Sequence, residues 1–509
     1  MNPKGISKTN WHLFVSISCT ILSRLLGFIR SIVETSLLGL SVVTDCYQGA
    51  FRLTNFFREV FAEGALGGVY TPLHTKVTAE QSEEDASQFF WITVLGVFFL
   101  SIFLVSLLYL FLEPVLQFWL IDFSTEKLSM TKNLSTIMLP FLIFISTGSM
   151  FMIGHHLQGR FVYSSIHPIL FSICVISFGL LNPLGNLGES FAYGVLVGGI
   201  FQFLLLALTL RPGRPSLRGM KRQIPHLKQM LIMLLPVFTA LAIHRINRLI
   251  DLQFASGLVT GTLSALAYSM VILNVPMGLV SIASSNVFYP ILARLKSANK
   301  NDEYQKEVSR ALTFLLWLAI PLTGFFILFA NELVEFLFAK LPAWFQVSSQ
   351  LESSSLRLIG ESLRFYSLGL VFIIINPLLI KVFHSSLQTK APAILGSTLV
   401  IFNILINMIL TPFFAHKGIA AATSICAFLH TIFLVRWLWA SGTYRLEWNI
   451  FWHSLAYLSV SLIIFLIIGY LENELSPLPE FLVGSIIYFL VFFKVEWLRR
   501  GSMPWPKKK

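Results

Sequence analysis

The sequence predicts an all-α polytopic membrane protein of about fourteen transmembrane helices. Two six-helix lobes enclose a central cavity and two further helices follow at the C-terminus. Three observations carry this. Of 509 residues, 55% are hydrophobic and only 12% are charged, about half the roughly 25% charge of a soluble domain. Apolar runs of 18 or more residues recur along the chain, each long enough to cross a hydrocarbon core of about 30 Å as a helix. Basic residues gather in alternate loops rather than over one face, the pattern that orients membrane helices.

The apolar runs place spans at about 12–38, 46–74, 88–120, 133–157, 163–183, 190–210, 228–255, 261–293, 309–338, 357–384, 390–414, 417–440, 449–471 and 479–498, with room for a short interfacial helix at 338–357. An even count puts both termini on one side. Lys4 and Lys8 precede the first span, Arg211, Arg214, Arg218, Lys221 and Arg222 follow the sixth, and Arg294, Lys296, Lys300, Lys306 and Arg310 follow the eighth. Arg499, Arg500 and Lys507 to Lys509 close the tail, whereas the loop 472–480 carries Glu472, Glu474 and Glu480 with no Lys or Arg. Cytoplasmic termini follow. No cleavable signal is expected, because the first apolar segment itself holds Arg24 and Arg30. The net charge of +12 is met by topology and anionic headgroups of membrane lipids, so no nucleic-acid partner is expected. The four cysteines show no metal-ligand spacing and read as small buried hydrophobes.

A shift of 218 residues sets Gly39-Leu40 on Gly257-Leu258, Val69-Tyr70-Thr71-Pro72 on Val287-Phe288-Tyr289-Pro290, and Arg30 on Arg248. The match is confined to these positions. It divides the chain into an N-terminal lobe at 1–222, a C-terminal lobe at 223–445, and an extension at 446–509. Repeated halves in the same orientation commonly enclose a substrate site and alternate access to it.

The spans least like lipid-facing helices are one, two and seven. A charge at the bilayer centre costs about 2.5–3.5 kcal/mol on insertion scales. Yet span one carries Arg24, Arg30 and Glu34, span two Asp45, Arg52, Arg58, Glu59 and Glu63, and span seven His244, Arg245, Arg248 and Asp251. Local pairing of Arg30 with Glu34, Arg58 with Glu59 or Glu63, and Arg248 with Asp251 is one reading. A water-filled cationic cavity is the other, and it explains why three helices carry the same side chains. Arginine suits bidentate phosphate recognition, so the expected substrate is an anion bearing phosphate or pyrophosphate. In spans eleven and twelve, Asn403, Asn407 and Thr423 could join Asp251 around a monovalent cation, or simply bond between helices. His155-His156 reads as a solvated helix end. There is no Gly-rich phosphate loop with Lys, no HExxH and no GxSxG, so a transporter rather than an enzyme is expected, with no organic cofactor.

The stretch Ser23-Arg24-Leu25-Leu26-Gly27-Phe28-Ile29-Arg30, then Thr44-Asp45, then Asn55 through Arg58-Glu59 to Phe61-Ala62-Glu63-Gly64-Ala65, resembles the MurJ/MviN family of bacterial lipid II flippases. The resemblance is sharp over 23–73 and looser elsewhere. It implies membership of the multidrug/oligosaccharidyl-lipid/polysaccharide exporter superfamily and a V of two six-helix lobes around a cationic cavity. The implied activity is carriage of undecaprenyl-pyrophosphate-linked peptidoglycan precursor, lipid II, from the cytoplasmic to the outer leaflet of the bacterial inner membrane. The last two helices would hold the lipid tail. Carried over by motif, Arg24, Arg30 and Arg58 match functional arginines, and Asp45 and Glu63 match acidic positions. Asp251, Asn403, Asn407, the Ile419 carbonyl and Thr423 align with a sodium site of some members. The chain departs from the pattern at Ser31, where an acid is usual, at Glu59, where a base is usual, and at Val271, where span eight usually carries arginine. Arg245 and Arg248 are the candidates to replace that last charge, and Asn407 in place of Asp weakens the sodium set. The rivals are another lipid-linked oligosaccharide or drug exporter of the superfamily, a membrane enzyme acting on polyprenyl phosphates, and a scaffold that transports nothing.

Overall fold

The computed structural model describes residues 3–61, 65–347, 349–388, 390–445, 447, 450, 452–459 and 461. Among them there is no strand, and helix follows helix. In hydrocarbon an unpaired backbone group costs several kcal/mol, and a helix satisfies all of its own except those at its ends. Most of spans thirteen and fourteen lies outside the described residues.

The chain divides into two compact units, the first comprising residues 1–264 with 342–351 and the second 265–341 with 352–509. The first holds α1 (Pro3–Leu38), α2 (Val42–Phe61), α3 (Ala65–Glu80), α4 (Glu83–Leu110), α5 (Leu112–Trp119), α6 (Thr125–Met138), α7 (Phe141–Leu157), α8 (Phe161–Leu181), α9 (Leu187–Thr209), α10 (Leu217–Arg222) and α11 (Ile224–Ser256). Span seven, α11, thus belongs to the first unit, where it packs on α2, α3, α4 and α5. The boundary between units falls inside α12 (Thr262–Pro276).

Helices α8 and α9 pack closely along a stripe of glycines. A Cβ at Gly194 would sit 3.0 Å from Val175 Cα and 3.1 Å from Phe178 Cβ, and one at Gly198 would sit 3.3 Å from Phe171 Cα. This is the small-xxx-small spacing that lets helix backbones approach where no hydrophobic effect drives association. Two aromatic cores flank it, one around Tyr70, Phe89, Phe90 and Phe151, the other around Tyr47, Phe141 and Phe191.

The second unit continues α12 through a π-helical segment, Met277–Ile282, into α13 (Ala283–Ser297). Then come α14 (Asn301–Leu328), α15 (Ala330–Glu335), a π-helical Phe336–Lys340, α16 (Leu341–Trp344), α17 (Ser353–Ser367), α18 (Leu370–Ser385), α19 (Lys390–Phe414) and α20 (His416–Ala440). The expected interfacial helix at 338–357 amounts to the four residues of α16. Residues 342–351 return to the first unit, where the Gln350 N–H donates to the Ser36 carbonyl at 2.8 Å.

Among the described residues seven helical stretches are long and apolar enough to span a membrane, or eight if α17 and α18 count as one span bent by 46°. Of the other expected spans, the first, second, seventh, thirteenth and fourteenth lie partly or wholly outside the described residues, in backbone or in side chains, and the eighth, α12–α13, is interrupted by π-helical turns. Interruption also marks the fourth and tenth spans, at Leu139-Pro140 between α6 and α7 and at Leu368-Gly369 between α17 and α18.

Replacing Gly194 by Val forces backbone apart from backbone and is expected to destabilise the first unit by about 1–3 kcal/mol. Gly396→Ala, where an added Cβ meets nothing within 4 Å, serves as the control. Thermal unfolding of both purified variants in detergent measures the difference.

Candidate functional site

Arg30 is where the buried charges are best resolved. It lies in α1 eight residues from the helix end, and its side chain is 18% exposed. Its Nε lies 3.3 Å from Glu34 Oε1, one turn further along the same helix. Glu34 also accepts from the Tyr47 hydroxyl of α2 at 3.4 Å. The guanidinium carbon sits 5.8 Å from the centroid of the Phe51 ring of α2 and 5.1 Å from that of Phe171 of α8. A cation over aromatic faces gains about 0.5–1 kcal/mol when exposed and 2 or more when desolvated. Two rings and a carboxylate therefore offset much of the cost of placing Arg30 in hydrocarbon. The acid that the sequence lacks at Ser31 is supplied by Glu34; Ser31 instead donates back to the Gly27 carbonyl at 3.2 Å.

This arrangement has a chemical consequence. With the Nε edge turned to Glu34 and the ring faces toward phenylalanines, the two Nη groups make no hydrogen bond or ion pair among the described residues. That distal edge is the fork that grips a phosphate through two parallel hydrogen bonds. Arg24, two turns earlier on α1, is exposed. Arg58 is half-buried on α2 and donates from Nε to Asn55 Oδ1 at 2.6 Å. Arg24, Arg30 and Arg58 thus all belong to the first unit, on two adjacent helices. Glu63 and the side chains of Arg245 and Arg248 lie outside the described residues.

Asp45 is differently placed. It is 2% exposed, and both of its oxygens receive hydrogen bonds. Oδ2 accepts from the Gly261 N–H at 2.7 Å, and Oδ1 accepts from the Ser264 N–H at 3.1 Å and its hydroxyl at 2.6 Å. The Gly261 backbone has φ +90°, a conformation that glycine adopts at little cost. A carboxylate receiving the first N–H groups of a helix is an N-cap supplied from elsewhere in the chain. Asp45 holds the 257–264 turn against the start of α2.

The sodium set divides between the units. Asn403 and Asn407 are buried on α19, with the Asn407 amide donating to Asn403 Oδ1 at 3.0 Å. Thr423 donates to the Ile419 carbonyl at 3.3 Å. Asn403 Oδ1 and the Ile419 carbonyl thus each accept a hydrogen bond from within the second unit, and Asp251, the carboxylate of the set, belongs to the first unit. Among the described residues no cluster of three His, Cys, Asp or Glu could hold a metal. His155 is fully buried with Nε2 3.1 Å from both the Leu206 carbonyl and Thr209 Oγ1, a packed core histidine rather than a solvated helix end. His156 bonds Ser164 at 2.9 Å.

The sequence reading passed over two cations in the second unit. Lys381 in α18 rests its Nζ 4.9 Å from the centroid of the Tyr289 ring. Arg364 lies in the last turn of α17, next to the bend of span ten. Its sequence neighbour Glu361, at i−3, suggests a self-contained pair. Glu361 is instead drawn to Arg357 at 3.0 Å, Lys417 at 3.0 Å and His416 at 3.3 Å.

The profile of the lipid II flippase MurJ family matches residues 35–492. A probable lipid II flippase MurJ of Rhizobium tropici is 26% identical over 96% of this chain and 95% of its own. Among solved structures, a lipid II flippase MurJ in an inward closed conformation superposes with TM-score 0.81 at 23% identity, over 96% of this chain and 99% of that one. A multidrug-resistance MATE transporter of the MOP superfamily, in an inward-facing conformation, gives TM-score 0.67 at 14% identity, over 84% and 98% of the two chains. These likenesses of structure show the fold. The chain belongs to the lipid II flippase MurJ family.

Asp45→Ala removes the acceptor of three hydrogen bonds from a buried turn. It is expected to destabilise the first unit by on the order of 2–4 kcal/mol, with Asp45→Asn losing less because one oxygen remains. Thermal unfolding of the purified variants reads both effects.

Proposed function

We propose that this member of the flippase family carries lipid II from the cytoplasmic to the outer leaflet of the bacterial inner membrane by alternating access, with both termini cytoplasmic. The observation that carries the reading is Arg30, a desolvated guanidinium held by Glu34, Phe51 and Phe171 with its forked edge uncommitted. A pyrophosphate fits that edge bidentately, and Arg24 and Arg58 add charge from the same pair of helices. The polyprenyl tail stays in lipid while the head group is carried. Each elementary charge that crosses the membrane couples to the potential at about 2.3 kcal/mol per 100 mV, enough to bias the direction of transport.

The geometry disfavours a drug exporter for cations. Such a substrate needs an available carboxylate, and the three acids described on the first pair of helices are all engaged, Glu34 by Arg30 and Tyr47, Asp45 by the 257–264 turn, and Glu59 by a polar neighbour.

Depletion rescue tests the reading. Cells deprived of their own flippase and supplied with this chain should resume peptidoglycan synthesis. Arg30→Ala, expressed at the same level, should rescue at least tenfold less well, and Arg30→Lys should fall between, since ammonium keeps the charge but loses the fork. Full rescue by Arg30→Ala would count decisively against the role.

A further inference from the structure

We infer that Arg364 is an oxyanion-binding residue of the second unit, which takes an anionic group on the head of the transported lipid. The inference rests on the flippase reading and extends it to a residue outside the family motif of the first two helices.

Place in the fold is the first argument. Arg364 lies in the last turn of α17, three residues beyond Glu361 and next to the bend of the interrupted pair α17–α18. An ionisable side chain within a membrane span pairs, lines a polar space, or serves the transported solute.

Pairing is the second. Among the described residues Arg364 makes no ion pair, and its Nε is buried without a hydrogen-bond partner. The nearby carboxylate, Glu361, lies within 4 Å of Arg357, Lys417 and His416. Three permanent cations, Arg357, Lys417 and Arg364, therefore stand near one carboxylate, and Arg364 is the one it does not pair.

The helix break is the third. A cation in the last turn of a helix ordinarily serves the carbonyls exposed there. At this break those carbonyls are already served. Ser424 Oγ donates to Phe365 O at 2.7 Å and to Tyr366 O at 3.0 Å, and Ser367 Oγ donates to Leu363 O at 2.6 Å. Gly369 permits this by bringing α20 so close that a Cβ there would sit 2.6 Å from Ser424 Cα. The break is closed without Arg364, which leaves the guanidinium for an outside acceptor. Interrupted helices of this kind line substrate sites in transporters.

A guanidinium fork recognises a phosphate or a carboxylate by the same geometry. The head of lipid II carries both, a pyrophosphate and the carboxylates of its peptide. The test uses the full-length protein in detergent, with undecaprenyl pyrophosphate and lipid II as probes, and compares wild type with Arg364→Gln and Arg364→Lys. Arg364→Gln is expected to weaken lipid II binding about tenfold at unchanged thermal stability, with Arg364→Lys recovering part of the loss. An equal loss for undecaprenyl pyrophosphate assigns the contact to the pyrophosphate, whereas a loss confined to lipid II assigns it to the peptide. Unchanged affinity of Arg364→Gln for both lipids overturns the inference while the flippase reading stands. Absence of lipid II binding by the wild type removes that reading and the inference with it. Should Arg364→Gln fail to fold, Arg364→Lys alone decides: unaltered affinity with the fork lost overturns the contact, and an affinity drop at wild-type stability supports it.

Discussion

The structure depends on keeping charge in hydrocarbon at a bearable cost. Lipid tails solvate neither an ion nor a bare peptide group, so every polar atom within the membrane needs a partner from the protein or from what the protein carries. In the first unit Arg30 meets this condition on three sides, through Glu34, Phe51 and Phe171. The rest of the unit is arranged to keep those partners in place. The glycine stripe that draws α8 against α9 fixes the helix that carries Phe171. The stacked Tyr47 and Phe51 rings, 6.0 Å apart, fix the face of α2 that touches both Arg30 and Glu34.

The same condition explains which features were legible in the sequence. The α-helical membrane class followed from composition and run length, because the bilayer admits few alternatives. The expectation that Arg24, Arg30 and Arg58 serve the substrate rested on their expense in hydrocarbon and on the motif that holds them. Less legible was how each charge is satisfied. Glu34 reads in sequence as one acid among several; its pairing with Arg30 needed only helical spacing, but its hydroxyl partner Tyr47 comes from another helix. Asp45 reads in sequence as an acidic position at the end of span two, and the fold adds that it holds a turn 216 residues away in sequence. No local pattern encodes that contact.

Nothing in the sequence sets Arg364 apart, since a glutamate lies three residues earlier; only the fold shows that Glu361 is taken up by α20 through Lys417 and His416. The break in span ten was equally hidden, since Ser367-Leu368-Gly369 is not a strong helix-stop sequence. Its cause is tertiary: Ser424 of α20 serves the opened carbonyls, and Gly369 lets it come close enough. Sequence patterns record what a helix does alone, whereas these two features record what two helices do to each other.

The Arg30–Glu34 pair lies within one helix, and that bears on how the protein is made. A partner four residues away is present as soon as α1 has coiled, before α2 or α8 has been synthesised. Span one can therefore leave the insertion machinery with one of its arginines already neutralised by its own carboxylate. A counter-ion on a later helix would leave that arginine bare in lipid until the later helix arrived. By keeping the acid on the same turn-and-a-bit of helix, the chain makes its costliest residue independent of the order in which its neighbours emerge.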